Sequence, residues 1–515
     1  MTKIKQTQNG SLTLQNAPIT FLFPGGGAQY LSMAQGLYTE YSYFKEQVDF
    51  CINFLKREEQ LNIQQFIIPS ENANLKTLKS EIEQPTNALT TLFTIEYALA
   101  KLWQFWGIQP NQLIGHSMGE YTAACMAGVF SVENGLRLVT LRGRLFEKLT
   151  NAGSMLSVAL SASKMESFLI ENTSISVINK PDNCVVSGAL EAIAQLQETL
   201  ENQHIETAKI HINVAAHSPQ IDPIIPEFKA FLETIDFQKP TIPIISNLDG
   251  QWAKADAIIT PQYWINHLRQ TVRFSDGLAT LLATNDSILL EAGPGQTLAT
   301  FARQHPAKNK SHFIYSSIRH PKETTNDVAF ILKILGKLWC NGIAINWQNY
   351  YQHLATTKVS LPTYPFERKK YWIESLADER FAKFSKFSKS QDTSFLNESR
   401  FTKSDRFSKS EVPIIVNTAQ EKNISRKDHL ISLIKEVLFE LSGLEPEEME
   451  ADATFLELGF DSLFLTQAIT KFNRKFKLAI TFRQLFEEAS TIETLAVYMD
   501  DKLADGLFMP AISRQ

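Results

Sequence analysis

A chain of 515 residues, 44% apolar and 20% charged, has room for about three domains and the composition of an ordinary globular protein, which excludes wholesale disorder, a coiled-coil rod or a collagen. A net charge of −5 offers no basic footprint for nucleic acid, and no run of 18 uncharged apolar residues offers a membrane span, so neither partner is expected. The N-terminal MTKIKQTQNGSLTLQNAP lacks the apolar core of a signal peptide, and Cys51, Cys125, Cys184 and Cys340 stand apart without metal-ligand spacing; each reads as a small core residue of a protein in a reducing cytoplasm.

Residues 1–18 are polar and aperiodic and read as a linker. The strand-like Ile19-Thr20-Phe21-Leu22 runs into Phe23-Pro24-Gly25-Gly26-Gly27, a glycine turn able to aim backbone N–H groups into a site. Next, QLIGHSMGE (112–120) holds a G-x-S-x-G between a strand-like run and the helical run GEYTAACMAGVF (119–130). That strand–turn–helix context presents a serine on a sharp turn and makes Ser117 a candidate nucleophile; the bland alternative is a glycine-tolerant turn with a solvated serine. The N–H of Met118, together with a donor from the 25–27 turn, would form an oxyanion hole. Arg142, on the helical run beyond the elbow, would grip a carboxylate if it reached the site, although its position by itself favours a surface arginine.

From residue 152 the pattern is strand (SMLSVAL), helix (SKMESFLIE), strand (SISVIN), strand (NCVVSG), helix (EAIAQLQETLENQ) and strand (TAKIHIN). This βαββαβ order predicts a ferredoxin-like subdomain over 152–218, inserted into a larger α/β domain. A serine needs a base at neutral pH, and the insert ends in NVAAHSP, which delivers His217 to the junction of the two parts, a usual place for a site. Spacing alone does not select His217 from the ten histidines.

Residues 376–425 repeat a Phe/Ser/Lys theme, FAKFSKFSKS and RFTKSDRFSKS, and read as a flexible linker. Beyond it, HLISLIKEVLFELSGL (429–444), SLFLTQAITKFNRKF (462–476), TFRQLFEEA (481–489) and TIETLAVYMDDKL (491–503) predict a separate all-α four-helix bundle over 426–505, with Thr491 as a cap. This stretch has 9 basic and 16 acidic residues, a net of −7 against +2 for the rest of the chain, which suits basic partner surfaces. In LGFDSL (458–463), Asp461 could cap the second helix, and Ser462 sits where free N–H groups favour a phosphate.

FPGGGAQ (23–29), GHSMGE (115–120), LRGR (141–144), NKPDNCVVSG (179–188), AAHSP (215–219), PIISNLDG (243–250), YWINHLRQTVRF (263–274) and EAGPG (291–295) come in an order that resembles malonyl-CoA:acyl-carrier-protein transacylases, above all the acyltransferase domains of modular polyketide synthases. LPTYPFERKKYW (361–372) resembles the tail that follows such domains. The resemblance implies an α/β acyltransferase core with a hydrolase-like parallel sheet over 19–308 and a post-acyltransferase segment over 309–375. It puts the nucleophile on Ser117, the base on His217, the carboxylate-binding arginine on Arg142 and the oxyanion donors on the backbones of Gly26 and Met118. The family often has Gln where this chain has Gly26, and a backbone role survives that change. No Asp completes a triad; the family instead implies a backbone carbonyl between Asn266 and Arg273 to orient the base. Met118 looks malonyl-like, whereas Val214-Ala215-Ala216-His217, with Ala216 toward the substrate, matches neither the HAFH of malonyl nor the YASH of methylmalonyl relatives. Malonyl is the expected acyl unit.

LGFDSL resembles the 4′-phosphopantetheine attachment motif of acyl carrier proteins, which makes Ser462 the attachment residue. The chain then reads as a didomain that loads a malonyl unit from coenzyme A onto Ser117 and hands it to the arm on Ser462, in ping-pong fashion and without a metal. Implied partners are ketosynthase-containing polyketide synthase or hybrid peptide synthetase modules, a phosphopantetheinyl transferase and a coenzyme A thioester. Two other readings share these motifs: an α/β-hydrolase-type thioesterase, and a non-catalytic carrier scaffold in which only Ser462 matters. The insert and Arg142 argue against the first, and the joint presence of Ser117, His217 and Arg142 against the second.

Overall fold

The computed structural model describes residues 17–352 apart from 150–152, 211–213, 285, 322 and 324, residues 359–360, and residues 426–503 apart from 443, 445, 447–448, 456–457, 459 and 461. The polar N-terminus to residue 16, the 361–372 tail and the 376–425 linker lie outside the described residues. In chain order the strands are β1 (Ile19–Phe23), β2 (Gln112–Gly115), β3 (Ser154–Val158), β4 (Thr173–Lys180), β5 (Asn183–Gly188), β6 (Thr207–Ile210), β7 (Ile244–Ile245), β8 (Ser287–Glu291) and β9 (His312–Ser316).

Five of them form a parallel sheet in the order β7-β2-β1-β8-β9. Central parallel strands are covered on both faces and so read as continuous apolar runs. Accordingly, every residue of ITFLF in β1 and SILLE in β8 is buried. The helix Pro85–Phe105, opened by a proline at its first position, is buried along most of its length and packs against the helix Val132–Lys148. The latter starts at Ser131, whose hydroxyl accepts from the N–H of Asn134.

The helix after the elbow is shorter than its sequence suggests. It spans Gly119–Met126, and the chain turns at Gly128 with φ of +79°, so the apolar run to Phe130 continues as a turn. Arg142 therefore belongs to the next helix.

The remaining four strands form a second sheet in the order β4-β5-β3-β6, with antiparallel neighbours. Its helices are Leu190–Asn202 and a single turn, Ala162–Met165, extended by a 3₁₀ turn to Phe168 where a longer helix was expected. They bury Leu156, Val158, Val186, Ile193, Leu196 and Leu200 in a small core of their own. The β4 strand is joined to the main body through Val272: the N–H of Ile178 donates to its carbonyl at 2.8 Å, and its own N–H donates to the Ser176 carbonyl at 2.9 Å.

In the C-terminal region the helices Arg426–Ser442, Ser462–Phe476 and Ile492–Lys502 surround Leu430, Ile434, Leu438, Phe472, Leu495 and Met499. Thr491 caps the last of them reciprocally with Thr494. TFRQLFEEA forms a short fourth helical segment over 482–488, whose last five residues, Gln484–Glu488, are π-helical. Cys51, Cys125 and Cys184 are buried, but Cys340 is exposed, because it ends the helix Asp327–Cys340 beyond that helix's packed face. Among the described residues no helix is long and apolar enough to cross a membrane.

Candidate active site

Strand β2 stops at Gly115, and the chain reverses through His116 and Ser117 into the helix at Gly119. A Cβ on Gly119 would collide with the carbonyl of Phe23, and one on Gly115 with the backbone of Glu120, so both glycines are required by close backbone approach. Ser117 itself takes a left-handed conformation with φ of +51°. This is an elbow in the sense that the sequence predicts, with the hydroxyl held above the sheet.

His217 arrives one hundred residues later, also left-handed at φ of +54°, and its Nε2 lies 2.7 Å from Ser117 Oγ. The residue is 3% exposed. Burial, reinforced by the positive field of Arg142, pushes its pKa well below the ordinary 6.5, so the imidazole is neutral and free to accept a proton. On the far side of the ring, Nδ1 has no partner at full hydrogen-bond geometry; the Gln270 carbonyl is the backbone acceptor there and favours the charged form. No carboxylate is within hydrogen-bond reach of His217 among the described residues.

The expectation of a surface position for Arg142 is overturned. The side chain is buried, with the residue 2% exposed, and its Nη2 donates to Ser117 Oγ at 3.0 Å. Its guanidinium lies 5.2 Å from the rings of both Tyr121 and Phe146. Nε and Nη1 make no hydrogen bond at full geometry, although the Tyr121 hydroxyl interacts with the guanidinium and favours its charged form, and among the described residues no acidic side chain pairs with it. A buried guanidinium without a counter-ion is costly and stays protonated, which gives the site an unmatched positive charge.

These groups line one cavity of about 660 Å³, together with Gly26, Gly27, Met155 and Asn179. Ala216 also lines it, its carbonyl accepting from Ser187 Oγ at 2.9 Å. Met118 caps the elbow helix with its side chain fully buried. One contribution escapes a sequence reading: His116 Nε2 meets Asn179 Oδ1 at 2.8 Å, linking the elbow to β4. Asn179 does lie within NKPDNCVVSG, a signal that could have pointed to it. The Gln270 carbonyl falls within the 266–273 stretch in which the resemblance implies a backbone acceptor for the base.

The depressed basicity of His217 has a kinetic consequence. Phosphonylation of Ser117 by a fluorophosphonate probe, followed against pH, is expected to hold its rate as pH falls through 6.5, with the acid limb displaced below that value. An acid limb at or above 6.5 would contradict a base held neutral by burial.

Residues 20–344 match the family model described as acyl transferase domain, and residues 432–499 match the one described as phosphopantetheine attachment site. A phenolphthiocerol/phthiocerol polyketide synthase chain of Mycobacterium tuberculosis is 34% identical over 359 residues, which cover 69% of this chain and 23% of that protein. The chain thus spans about a quarter of the length of that relative. The acyl transferase domain of ZmaA superposes with a TM-score of 0.63 at 32% identity, covering 68% of this chain and 80% of the other. The acyltransferase domain from the second module of the salinomycin polyketide synthase gives a TM-score of 0.60 at 28% identity, with coverages of 68% and 80%. A serine elbow, a neutral histidine and an unpaired buried arginine in one cavity, in a chain that matches over more than half its length, identify a member of the acyl transferase domain family that carries a phosphopantetheine attachment domain behind it.

Proposed function

We propose that this chain takes a malonyl-type acyl group from its coenzyme A thioester onto Ser117 and passes it to a carrier arm on Ser462. The observation that carries this reading is Arg142, a buried cation with two unpartnered N–H sites beside the nucleophile. It fits an acyl group that ends in a free carboxylate, which a bidentate guanidinium would neutralise.

In the first half-reaction, Ser117 Oγ attacks the thioester carbonyl while its proton moves to His217 Nε2, already at 2.7 Å. The N–H groups of Gly26 and Met118 hold the developing oxyanion. The C–S bond then breaks, and His217 returns the proton to the departing sulfur, leaving an ester on Ser117. In the second half, His217 takes the proton of an incoming thiol whose sulfur attacks the ester carbonyl; the bond from that carbon to Ser117 Oγ then breaks, Ser117 regains the proton from His217, and the acyl group leaves as a thioester. The Gln270 carbonyl orients the base, in the place that an acid occupies in α/β-hydrolases, which disfavours the thioesterase alternative.

Ser462 opens the helix Ser462–Phe476, whose first N–H groups suit the phosphodiester of a 4′-phosphopantetheine arm. That arm supplies a thiol able to carry the acyl group as a thioester. The strand order β4-β5-β3-β6 supports the ferredoxin-like reading of the insert. A phosphopantetheinyl transferase and ketosynthase-containing modules are the partners this function requires, in a cytoplasmic setting.

Intact-protein mass spectrometry tests the proposal on the apo and phosphopantetheinylated chain incubated with malonyl-CoA. One malonyl group is expected on the apo form and a second on the modified form. Ser462→Ala should lose the arm and the second adduct while keeping the first. Turnover of malonyl-CoA to free malonate with no adduct on the Ser462 arm would replace the proposal with a hydrolase.

A further inference from the structure

Two segments of the motif set, PIISNLDG and YWINHLRQTVRF, contain buried polar side chains that the chemistry above leaves without a task. The structure brings them to the underside of the elbow. Strand β7 pairs with β2 through Ile245 and Ile114, which sets Asn247, two residues on, beside the turn that carries Ser117. Asn247 is 1% exposed. Its Oδ1 accepts from the N–H of Ser117 at 2.8 Å, and its Nδ2 donates to the carbonyl of Gly115 at 2.7 Å. The amide therefore spans the residue pair across which the chain reverses. Its orientation is fixed by its partners, since turning it over would set NH₂ against N–H and oxygen against oxygen.

Asn247 is itself held from below. Its own N–H donates to Glu120 Oε2 at 2.7 Å, and its carbonyl accepts from the N–H of Arg273 at 2.8 Å. The other carboxylate oxygen of Glu120 accepts from the hydroxyl of Tyr263, which also meets Ser246 Oγ at 2.8 Å. His267 Nε2 lies 3.5 Å from Glu120 Oε2. Glu120, Tyr263 and His267 are all buried. Polar groups are costly in such an interior unless they are hydrogen-bonded, and those of Asn247, Glu120 and Tyr263 are spent on a single backbone turn.

That turn needs support. A non-glycine residue in the left-handed region costs on the order of 1–2 kcal/mol, and Ser117 sits there at φ of +51°. We infer that Asn247 is a positioning residue for the nucleophile: its side-chain amide clamps the strained elbow at both ends, with Glu120 and Tyr263 as its buttress. It touches no reacting atom. The inference rests on the reading of Ser117 as nucleophile and adds the group that keeps its Oγ within reach of His217. A displacement of about 1 Å at a reacting atom costs about 100-fold in rate.

The test uses the full chain and two readouts. The first is the rate at which a fluorophosphonate modifies Ser117, which needs no carboxylate-bearing substrate; the second is kcat and KM for malonyl-CoA. Asn247→Ala is expected to slow modification about 100-fold and to lower kcat by a similar factor, with KM within about twofold of native. Should that variant fail to fold, Asn247→Asp keeps the acceptor for Ser117 but sets a carboxylate oxygen against the Gly115 carbonyl, and is expected to slow modification at least tenfold at pH 8. A folded variant modified at the native rate, or one impaired in KM alone, overturns the inference while leaving Ser117 as nucleophile. If the native chain reacts with the probe yet takes no malonyl group, the substrate reading falls and the comparison of variants still decides the role of Asn247.

Discussion

Ser117→Ala is expected to abolish the malonyl adduct on the acyltransferase region and to slow loading by roughly four to six orders of magnitude, with the thermal transition close to native. The oxygen removed is the one that both His217 Nε2 at 2.7 Å and Arg142 Nη2 at 3.0 Å converge upon, so no neighbouring group can take its place. The backbone N–H of Ser117 keeps its bond to Asn247, and the elbow stays folded. Because serine and base act as a unit, His217→Ala should cost a comparable factor, and the double variant little more than either single one. Mass spectrometry of the chain after exposure to malonyl-CoA reads this directly. A malonyl adduct on the 19–375 region of Ser117→Ala would remove the serine from the reaction.

The fold and the serine elbow were legible because both depend on local pattern. The strand–glycine turn–helix of 112–126 and the βαββαβ order of 154–210 are written in alternation, periodicity and glycine placement, and they reappear as β2 with its helix and as the second sheet. The buried place of Arg142 came from the resemblance and not from its position, which alone favoured the surface because charge was weighed without its helical neighbours. Leu138, Val139, Leu145 and Phe146 lie three and four positions away on the helix Val132–Lys148 and are all buried, so the arginine stands in the middle of the apolar stripe. Cys340 went wrong the opposite way: its apolar segment is real, but the last residue of a helix need not share the packed face. The support of the site was only partly legible. Asn247 meets Ser117 across 130 positions and carries no local pattern, whereas the Gln270 carbonyl falls within the 266–273 stretch where the resemblance implies a backbone acceptor, although no residue type marks which carbonyl it is. In the C-terminal region TFRQLFEEA is helical as expected but too short for its periodicity to show that most of it is π-helical.

Arg142→Ala is expected to change which acyl group is accepted more than whether any is accepted. In the free protein the guanidinium is buried, lies 5.2 Å from two aromatic rings, and has Nε and Nη1 unpartnered, so a carboxylate that enters the cavity meets a cation already stripped of water. Pairing under such conditions is worth several kcal/mol, because a lone buried charge on either side is so unfavourable. Acetyl- and propionyl-CoA make no such pair, and their methyl ends sit poorly against an unpaired guanidinium. Removal of the cation should therefore lower kcat/KM for malonyl-CoA by about 10²–10³ while leaving that for acetyl-CoA unchanged or raised, at about 1.4 kcal/mol for each tenfold. Part of the malonyl loss will arise through His217. The field of Arg142 helps to hold its pKa down, so the variant's acid limb should move upward, toward 6.5, and the two substrates should share that movement because it belongs to the base. The ratio of kcat/KM for malonyl- over acetyl-CoA, measured on the plateau above about pH 7.5, isolates the carboxylate contact from the base. An unchanged ratio there would mean that Arg142 serves the nucleophile's hydroxyl alone and that the free carboxylate is recognised elsewhere in the cavity.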